Sequence, residues 1–257
     1  MSRCPRRLSE SGMYHIMFRG ISRQNIFEDN RDFKKMLEIL KRVKSETGYE
    51  LYAYCFMNNH VHLFIKEKEV GQISRIMSKI LSHYALWFNK KYDRVGVLFE
   101  NRYKSEPVED ERYYLGLVRY IHQNPLKAGM VENLEKYKWS SYNDYVKNAN
   151  EFVDIDMCLE MLSANRKKAI RDFKEFNYIL ADESYAISSS NRKTAAQVKR
   201  IIEKELNGKA PDTMKAMPKE ERNRLLKKLV LEKHISKSAL ERATGISRGT
   251  IIRIVNN

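Results

Sequence analysis

The chain has 257 residues, 42% of them hydrophobic, enough to bury a core in one large domain or two smaller ones. Its formal net charge of +15 points towards a polyanionic partner, because neutralising phosphates releases counterions whatever the base sequence. Cys4, Cys55 and Cys158 are too few and too scattered for a disulfide framework or a cysteine zinc site. With no signal-peptide pattern and no apolar run of about 18 residues, a soluble, unsecreted protein of the cytoplasm, associated with the nucleoid, is expected.

From Met13 to Ile21 apolar and polar residues alternate through Tyr14, Ile16 and Phe18, which predicts a strand, and Gly20 beside Arg19 marks a bulge or a close backbone approach at its end. Arg19 and Arg23 are candidate phosphate contacts. Asp29 or Asn30 caps a helix whose Phe33, Met36, Leu37, Leu40 and Val43 line one face, and Gly48 ends it. A second strand, Leu51 to Phe56, is joined by Met57-Asn58-Asn59 to a third, as in a tight antiparallel hairpin.

The third strand contains His60-Val61-His62-Leu63-Phe64-Ile65. Side chains alternate along a strand, so His60 and His62 share one face and Val61, Leu63 and Ile65 the other. The apolar face packs on a core, and the histidine face is expected to stay open to something polar. Two neutral imidazoles on one face can chelate a cation, although strand histidines also occur as satisfied, partly buried residues.

Gly71 starts a helix lined by Ile73, Ile76, Met77, Ile80, Leu81, Tyr84 and Phe88, ending at Lys90-Lys91. Val97-Leu98-Phe99 and Ser105 to Val108 are short strand pieces flanking Glu100-Asn101-Arg102-Tyr103-Lys104. Cations such as Arg102 and Lys104 beside an aromatic ring suit single-stranded nucleic acid, and a solvated basic loop is the plainer alternative. Asp110 caps the next helix, through Tyr113, Tyr114, Leu117, Val118, Tyr120 and Ile121. It is expected to finish near Gln123 or Asn124, because Pro125 disfavours helical geometry before it. Tyr120 and Asn124 are one turn apart on one face, and Gly116 leaves open space beneath the tyrosine ring. By itself Tyr120 also reads as an amphipathic core residue.

After Tyr145 the sequence becomes helix-rich and charged, with a helical connector from Asp156 to Leu180 and a linker at Ser188-Ser189-Ser190-Asn191. Near the end, Ser236 and Ser247 can each cap a short helix around the turn Ala243-Thr244-Gly245-Ile246, with Ile251, Ile252 and Ile254 as apolar residues of the second helix. The pattern resembles a helix-turn-helix, which would turn Ser247, Arg248, Thr250 and Arg253 towards duplex DNA. Glu241 departs from it, standing where such units usually have a small residue, and a plain helical packing module is the alternative.

Two stretches, Ala53-Tyr54-Cys55-Phe56-Met57-Asn58-Asn59-His60-Val61-His62 and Arg119-Tyr120-Ile121-His122-Gln123-Asn124-Pro125-Leu126-Lys127-Ala128-Gly129, resemble the single-tyrosine HUH transposases, and more closely the REP-associated tyrosine transposases. Phe18 to Arg23, Gly96 to Ser105 and Trp139 to Tyr142 support the resemblance, which covers roughly residues 13 to 146. It implies an α+β fold, an antiparallel sheet with helices on one side (ferredoxin- or RRM-like), as a catalytic domain over residues 1–150. A connector and linker over 151–190 and an all-α DNA-binding module over 191–257 would follow.

The resemblance further implies that His60, His62 and Asn124, with Gln123 the less favoured neighbour, bind Mg2+ or Mn2+, and that Tyr120 is the nucleophile. Such an enzyme cleaves and rejoins single-stranded or hairpin DNA through a 5'-phosphotyrosine. The competing reading is a DNA-binding regulator that keeps the scaffold and no longer cuts. Related enzymes include homodimers that exchange the tyrosine helix and monomers, so both states stay open.

Overall fold

The computed structural model describes residues 8–149, 151–179, 185, 195–231, 235 and 237–256. The chain divides into two compact units, Met1–Ile187 and Ser188–Asn257.

In the first unit, strands β1 (Met13–Arg19), β2 (Glu50–Met57), β3 (His60–Lys66) and β4 (Lys104–Pro107) form one antiparallel sheet in the order β2-β3-β1-β4. Helix α1 (Asn30–Thr47) follows β1. Its N-terminus is closed by a capping box between Asp29 and Asp32, and its C-terminus by Gly48 in the left-handed region at φ 67°. Helix α2 (Ile73–Lys91) separates β3 from β4, and α3 (Glu111–Lys127) follows, its Asp110 side chain accepting from the Tyr113 amide at 2.7 Å. Three more helices, α4 (Tyr142–Val146), α5 (Asp156–Leu162) and α6 (Arg166–Tyr178), complete the unit.

The α+β class and the antiparallel sheet agree with the expectation, but the helices are divided between both faces of the sheet. On the face carrying Phe18, Phe56 and Val61, Phe27 stacks on Phe56 (5.6 Å between ring centroids) and packs against Tyr84 of α2, while Phe33 of α1 stacks on Phe27 at 4.3 Å. On the other face α3 lies against Phe64 through Tyr114, at 4.7 Å. The cause is composition: β3 has Phe64 among its histidines, so neither face is polar enough to be left in water.

Helix α3 runs past Pro125 to Lys127 instead of stopping before it. Proline has no N–H to donate to the carbonyl one turn back, that of Ile121. The Asn124 side chain supplies a substitute, its Nδ2 donating to the Tyr120 carbonyl at 2.9 Å and the Ile121 carbonyl at 3.3 Å.

The segment read as a connector belongs to the first core, to which Phe152, Val153, Ile155, Cys158, Leu159, Ala169 and Phe173 contribute. Asp154 ties it to the sheet: its carboxylate accepts from the Leu51 amide at 2.6 Å and from Lys44 Nζ, and its amide donates to the Leu51 carbonyl. The expected linker at 188–191 lies outside the described residues.

The second unit contains helices α7 (Ala195–Glu205), α8 (Lys219–Leu231), α9 (Lys237–Thr244) and α10 (Arg248–Asn256) around Val198, Ile202, Met214, Leu226, Leu229, Leu240 and Ile251. Helices α9 and α10 are joined by a turn with Gly245 at φ 67°, and Thr250 N donates to Ser247 Oγ at 3.3 Å, the N-terminal cap expected there. Ser236 lies outside the described residues. Among the described residues, no helix is long and apolar enough to cross a membrane.

Candidate active site

The register of the sheet assembles the site. His62 of β3 lies opposite Met17 of β1 and His60 opposite Arg19, while Lys104 and Glu106 of β4 lie opposite Met17 and His15. Directly opposed residues share a face, so Arg19, His15, His60, His62 and Lys104 all point to the same side. The β2–β3 turn sets the position of the histidines. The Asn58 carbonyl accepts from the amides of Ile26 (2.8 Å) and Phe27 (3.1 Å), and the Asn59 carbonyl accepts from the Gly20 amide (2.9 Å). A Cβ on Gly20 would strike the Gln24 carbonyl, so only glycine allows this approach.

Helix α3 places Tyr120 over the same face. Its ring lies 5.7 Å from that of His62 at 87° and 5.9 Å from that of His15 at 72°, both edge-on. The histidine face is therefore covered by a helix instead of standing open: His62 is 4% exposed and His15 is fully buried, and only His60, at the end of the strand, is partly accessible.

Burial decides the charge state of the imidazoles. It lowers the pKa of His60 to about 4, with help from the Arg19 charge. His62 is held well below its ordinary value, first by burial and then by His15, His60 and Arg19, and burial takes His15 to about 3. All three are neutral at pH 7, the state in which an imidazole can ligate.

Both ligand candidates have Nδ1 engaged. His60 Nδ1 is 2.7 Å from Asn59 Oδ1, and His62 Nδ1 is 3.1 Å from His15 Nε2. With Nδ1 so occupied, Nε2 is the nitrogen left on each ring. Asn124 sits one turn beyond Tyr120 with its amide nitrogen committed to helix carbonyls, which leaves the carboxamide oxygen as its donor atom. Two neutral imidazoles and an amide oxygen fit a divalent cation. Among the described residues no group of three or more His, Cys, Asp and Glu is arranged for a metal. Gln123 is turned elsewhere: it is 1% exposed, and its Nε2 donates to the carbonyls of Asn177 and Ile179, each at 2.7 Å.

The expected DNA contacts fall into three groups. Arg19 and Lys104 lie beside the histidines, close enough for the Arg19 charge to depress the pKa values of His60, His62 and, after burial, Lys104. Arg23 and Arg102 are exposed, Arg23 at φ 62°. Arg253 is exposed on α10, whereas the Arg248 side chain lies outside the described structure. Tyr103 departs from the expectation. It is 8% exposed and part of the core, so its ring is not free to stack on a base.

Three participants escaped the reading of the sequence. His15 carries no motif and comes to His62 only through the β1–β3 register. Tyr185, from the end of the first unit, fills the space above Gly116 that had been expected to be open, and lies 6.2 Å from the Tyr120 ring. His122 supports α3 from behind, with Nε2 2.7 Å from Ser141 Oγ and rings of Tyr142, Tyr145 and Phe173 around it.

Residues 9–124 match the family model described as Transposase IS200 like. A Haemophilus influenzae protein provisionally named a REP-associated tyrosine transposase is 26% identical, over 38% of this chain and 62% of its own length, so this chain spans less than two thirds of that relative. Among solved structures, a REP-associated tyrosine transposase bound to a REP hairpin aligns at 19% identity over 57% of this chain and 86% of that one, with a TM-score of 0.49. A provisionally named transposase from Deinococcus radiodurans R1 aligns at 19% identity over 48% of this chain and 95% of that one, with a TM-score of 0.34. Through residues 9–124, under half of its length, the chain is similar to the IS200-like transposases.

Proposed function

We propose that the protein is a metal-dependent DNA strand transferase that cuts and rejoins single-stranded or hairpin DNA through Tyr120. The observation that carries the reading is the placement of the Tyr120 ring edge-on to His62 across the sheet's histidine face. His60 and His62, through Nε2, and Asn124, through its carboxamide oxygen, would hold Mg2+ or Mn2+. When bound there, the cation supplies Lewis-acid polarisation of a non-bridging oxygen of the scissile phosphate, an effect worth several kcal/mol.

The side chains do the rest. Arg19 and Lys104 attract the phosphodiester to the covered face through its open end at His60. The rigid helix holds Tyr120 for in-line attack, which matters because a phenol of pKa near 10 is a poor nucleophile at neutral pH. The Oη–P bond forms as the phenol gives up its proton, the P–O3' bond breaks, and the departing 3' oxygen takes up a proton, so the step is proton-neutral. The 5'-phosphotyrosine keeps the energy of the broken bond, so a second 3'-hydroxyl can displace Tyr120 and reseal DNA without a nucleotide cofactor.

The test is incubation of a labelled hairpin-bearing single strand with Mn2+ and either wild type or Tyr120→Phe. Wild type should give a covalent protein–DNA band on a denaturing gel, and the variant none. Binding without any covalent band from wild type would instead establish the non-cutting regulator. The second unit, with Arg248 and Arg253 on α10, is assigned a duplex-reading role. A chain ending at residue 187 should retain hairpin cleavage and discriminate less among duplex-containing targets, and unchanged discrimination would refute that role.

A further inference from the structure

We propose that His15 is a positioning residue for His62: its Nε2 accepts the Nδ1 proton of His62 and so fixes His62 in the tautomer whose Nε2 lone pair is free for a metal ion. The proposal rests on the metal-site reading above and names a residue outside that ligand set.

The geometry allows two arrangements of protons. His15 Nε2 and His62 Nδ1 are 3.1 Å apart with the rings stacked at 5.3 Å between centroids, and both rings are buried, so one nitrogen of the pair donates and the other accepts. If His15 donated from Nε2, the proton of neutral His62 would sit on its own Nε2, and that ring could not ligate. If His62 donates from Nδ1, its Nε2 lone pair is exposed and the His15 proton moves to Nδ1. That atom is buried and has no hydrogen-bond partner in either arrangement.

One observation favours the second arrangement, and another argues that His15 has a role beyond packing. The neighbouring ligand candidate is built the same way, His60 Nδ1 facing the side-chain oxygen of Asn59 at 2.7 Å, which leaves its Nε2 free. A buried polar atom without a partner is also costly, and an apolar residue at position 15 would avoid it. An imidazole kept there at that cost needs a role beyond packing. Supplying an acceptor to a ligating histidine fills that role, because the acceptor sets ring orientation and tautomer, and its loss typically reduces metal affinity about 10- to 100-fold.

The experiment uses the full chain, metal-free and with labelled histidine ring nitrogens, as wild type, His15→Phe, His15→Gln and His62→Ala. Two-bond proton–nitrogen spectra at about pH 7.5 read the His62 tautomer, titration calorimetry reads Mn2+ affinity, and thermal melting reads the fold. Wild-type His62 should be protonated at Nδ1. His15→Phe should shift it towards the Nε2-protonated form, weaken Mn2+ binding about 10- to 100-fold and melt no lower than wild type, which a residue with a purely structural role would not do. His15→Gln, whose carbonyl reaches the Nε2 position, should restore most of the affinity. Where a phenyl ring is not accommodated, His15→Asn, with a carbonyl that stops short, removes the acceptor instead.

An Nε2-protonated His62 in wild type, or Mn2+ binding by His15→Phe as tight as by wild type, overturns the proposal. A wild type that takes up no more Mn2+ than His62→Ala, with His62 still protonated at Nδ1, overturns the metal-site reading while the tautomer supports the pairing with His15.

Discussion

On one face of the sheet Ile16, Phe18, Phe56, Val61 and Leu63 are buried against the aromatic residues of α1 and α2; on the other, His15 and His62 are buried as deeply beneath α3. Equal burial here has opposite energetic meaning. Apolar side chains gain about 25 cal/mol for each square ångström withdrawn from water, whereas an imidazole loses water contacts that only a hydrogen bond can replace. The apolar side chains, Phe64 between the histidines included, therefore hold the fold, and the buried imidazoles lower its stability.

The largest effect should come from separating the two faces at adjacent residues. On the proposed function, His62→Leu should lower strand cleavage by at least about a hundredfold, since it removes a proposed ligand from a site worth several kcal/mol, and should melt at or above the wild-type temperature. A melting temperature well below wild type would show that the histidine face also carries stability. Next in size, Leu63→Ala, one residue on and facing the other way, should cost about 2–5 kcal/mol in urea unfolding. A loss below about 1 kcal/mol would undo the division between the faces.

A smaller effect follows from pH. The pKa of His15 and that of His122 in the folded chain are both about 3, below the ordinary 6.5, so the unfolded chain takes up those protons first as the solution is acidified. Stability should be level above about pH 6.5 and fall between there and about 3, by roughly 1.4 kcal/mol per pH unit for each such imidazole. His122→Gln should flatten the slope of melting free energy against pH by one such increment. An unchanged slope would mean that His122 is reached by protons in the native state. The smallest effect is expected at Gly116→Ala, where the new methyl meets the outer end of Tyr185, a side chain that can swing away. Alanine's helix preference of about 1 kcal/mol should offset the displacement, leaving stability within roughly that amount. Tyr185 fluorescence should report the movement.

How much of this was legible in the sequence depends on the range of the interaction. The cap at Asp29, one of two expected positions, the Gly48 stop and the hairpin, whose turn is one residue shorter than the expected Met57-Asn58-Asn59, are local and were legible, as was the shared direction of His60 and His62. The resemblance to the transposase family was also legible, because its motifs lie in two short runs around His60 and Tyr120. Non-local features were not. His15 joins the site only because β1 pairs with β3 in a particular register, and Tyr185 reaches α3 from more than sixty residues away. Pro125 misled for a different reason: the rule that proline ends a helix holds when nothing replaces its missing donor, and here the Asn124 amide does.

The two-residue turn at Asn58-Asn59 has no slack. Both carbonyls are taken by the segment from Gly20 to Phe27, and the Asn59 side chain reaches the Arg23 carbonyl at 3.1 Å as well as His60. A single residue inserted between Phe56 and His60 would slip β3 by one step, sending both histidines to the apolar face and Val61 and Leu63 into the site. The stretch from Asp93 to Val97 is tied more lightly, through Arg94 and the Gly96 carbonyl, with Val95 fully exposed and Val97 68% exposed. Over evolutionary time this turn should therefore keep its number of residues and its Asn59 side chain, while the exposed loop should gain and lose residues more readily.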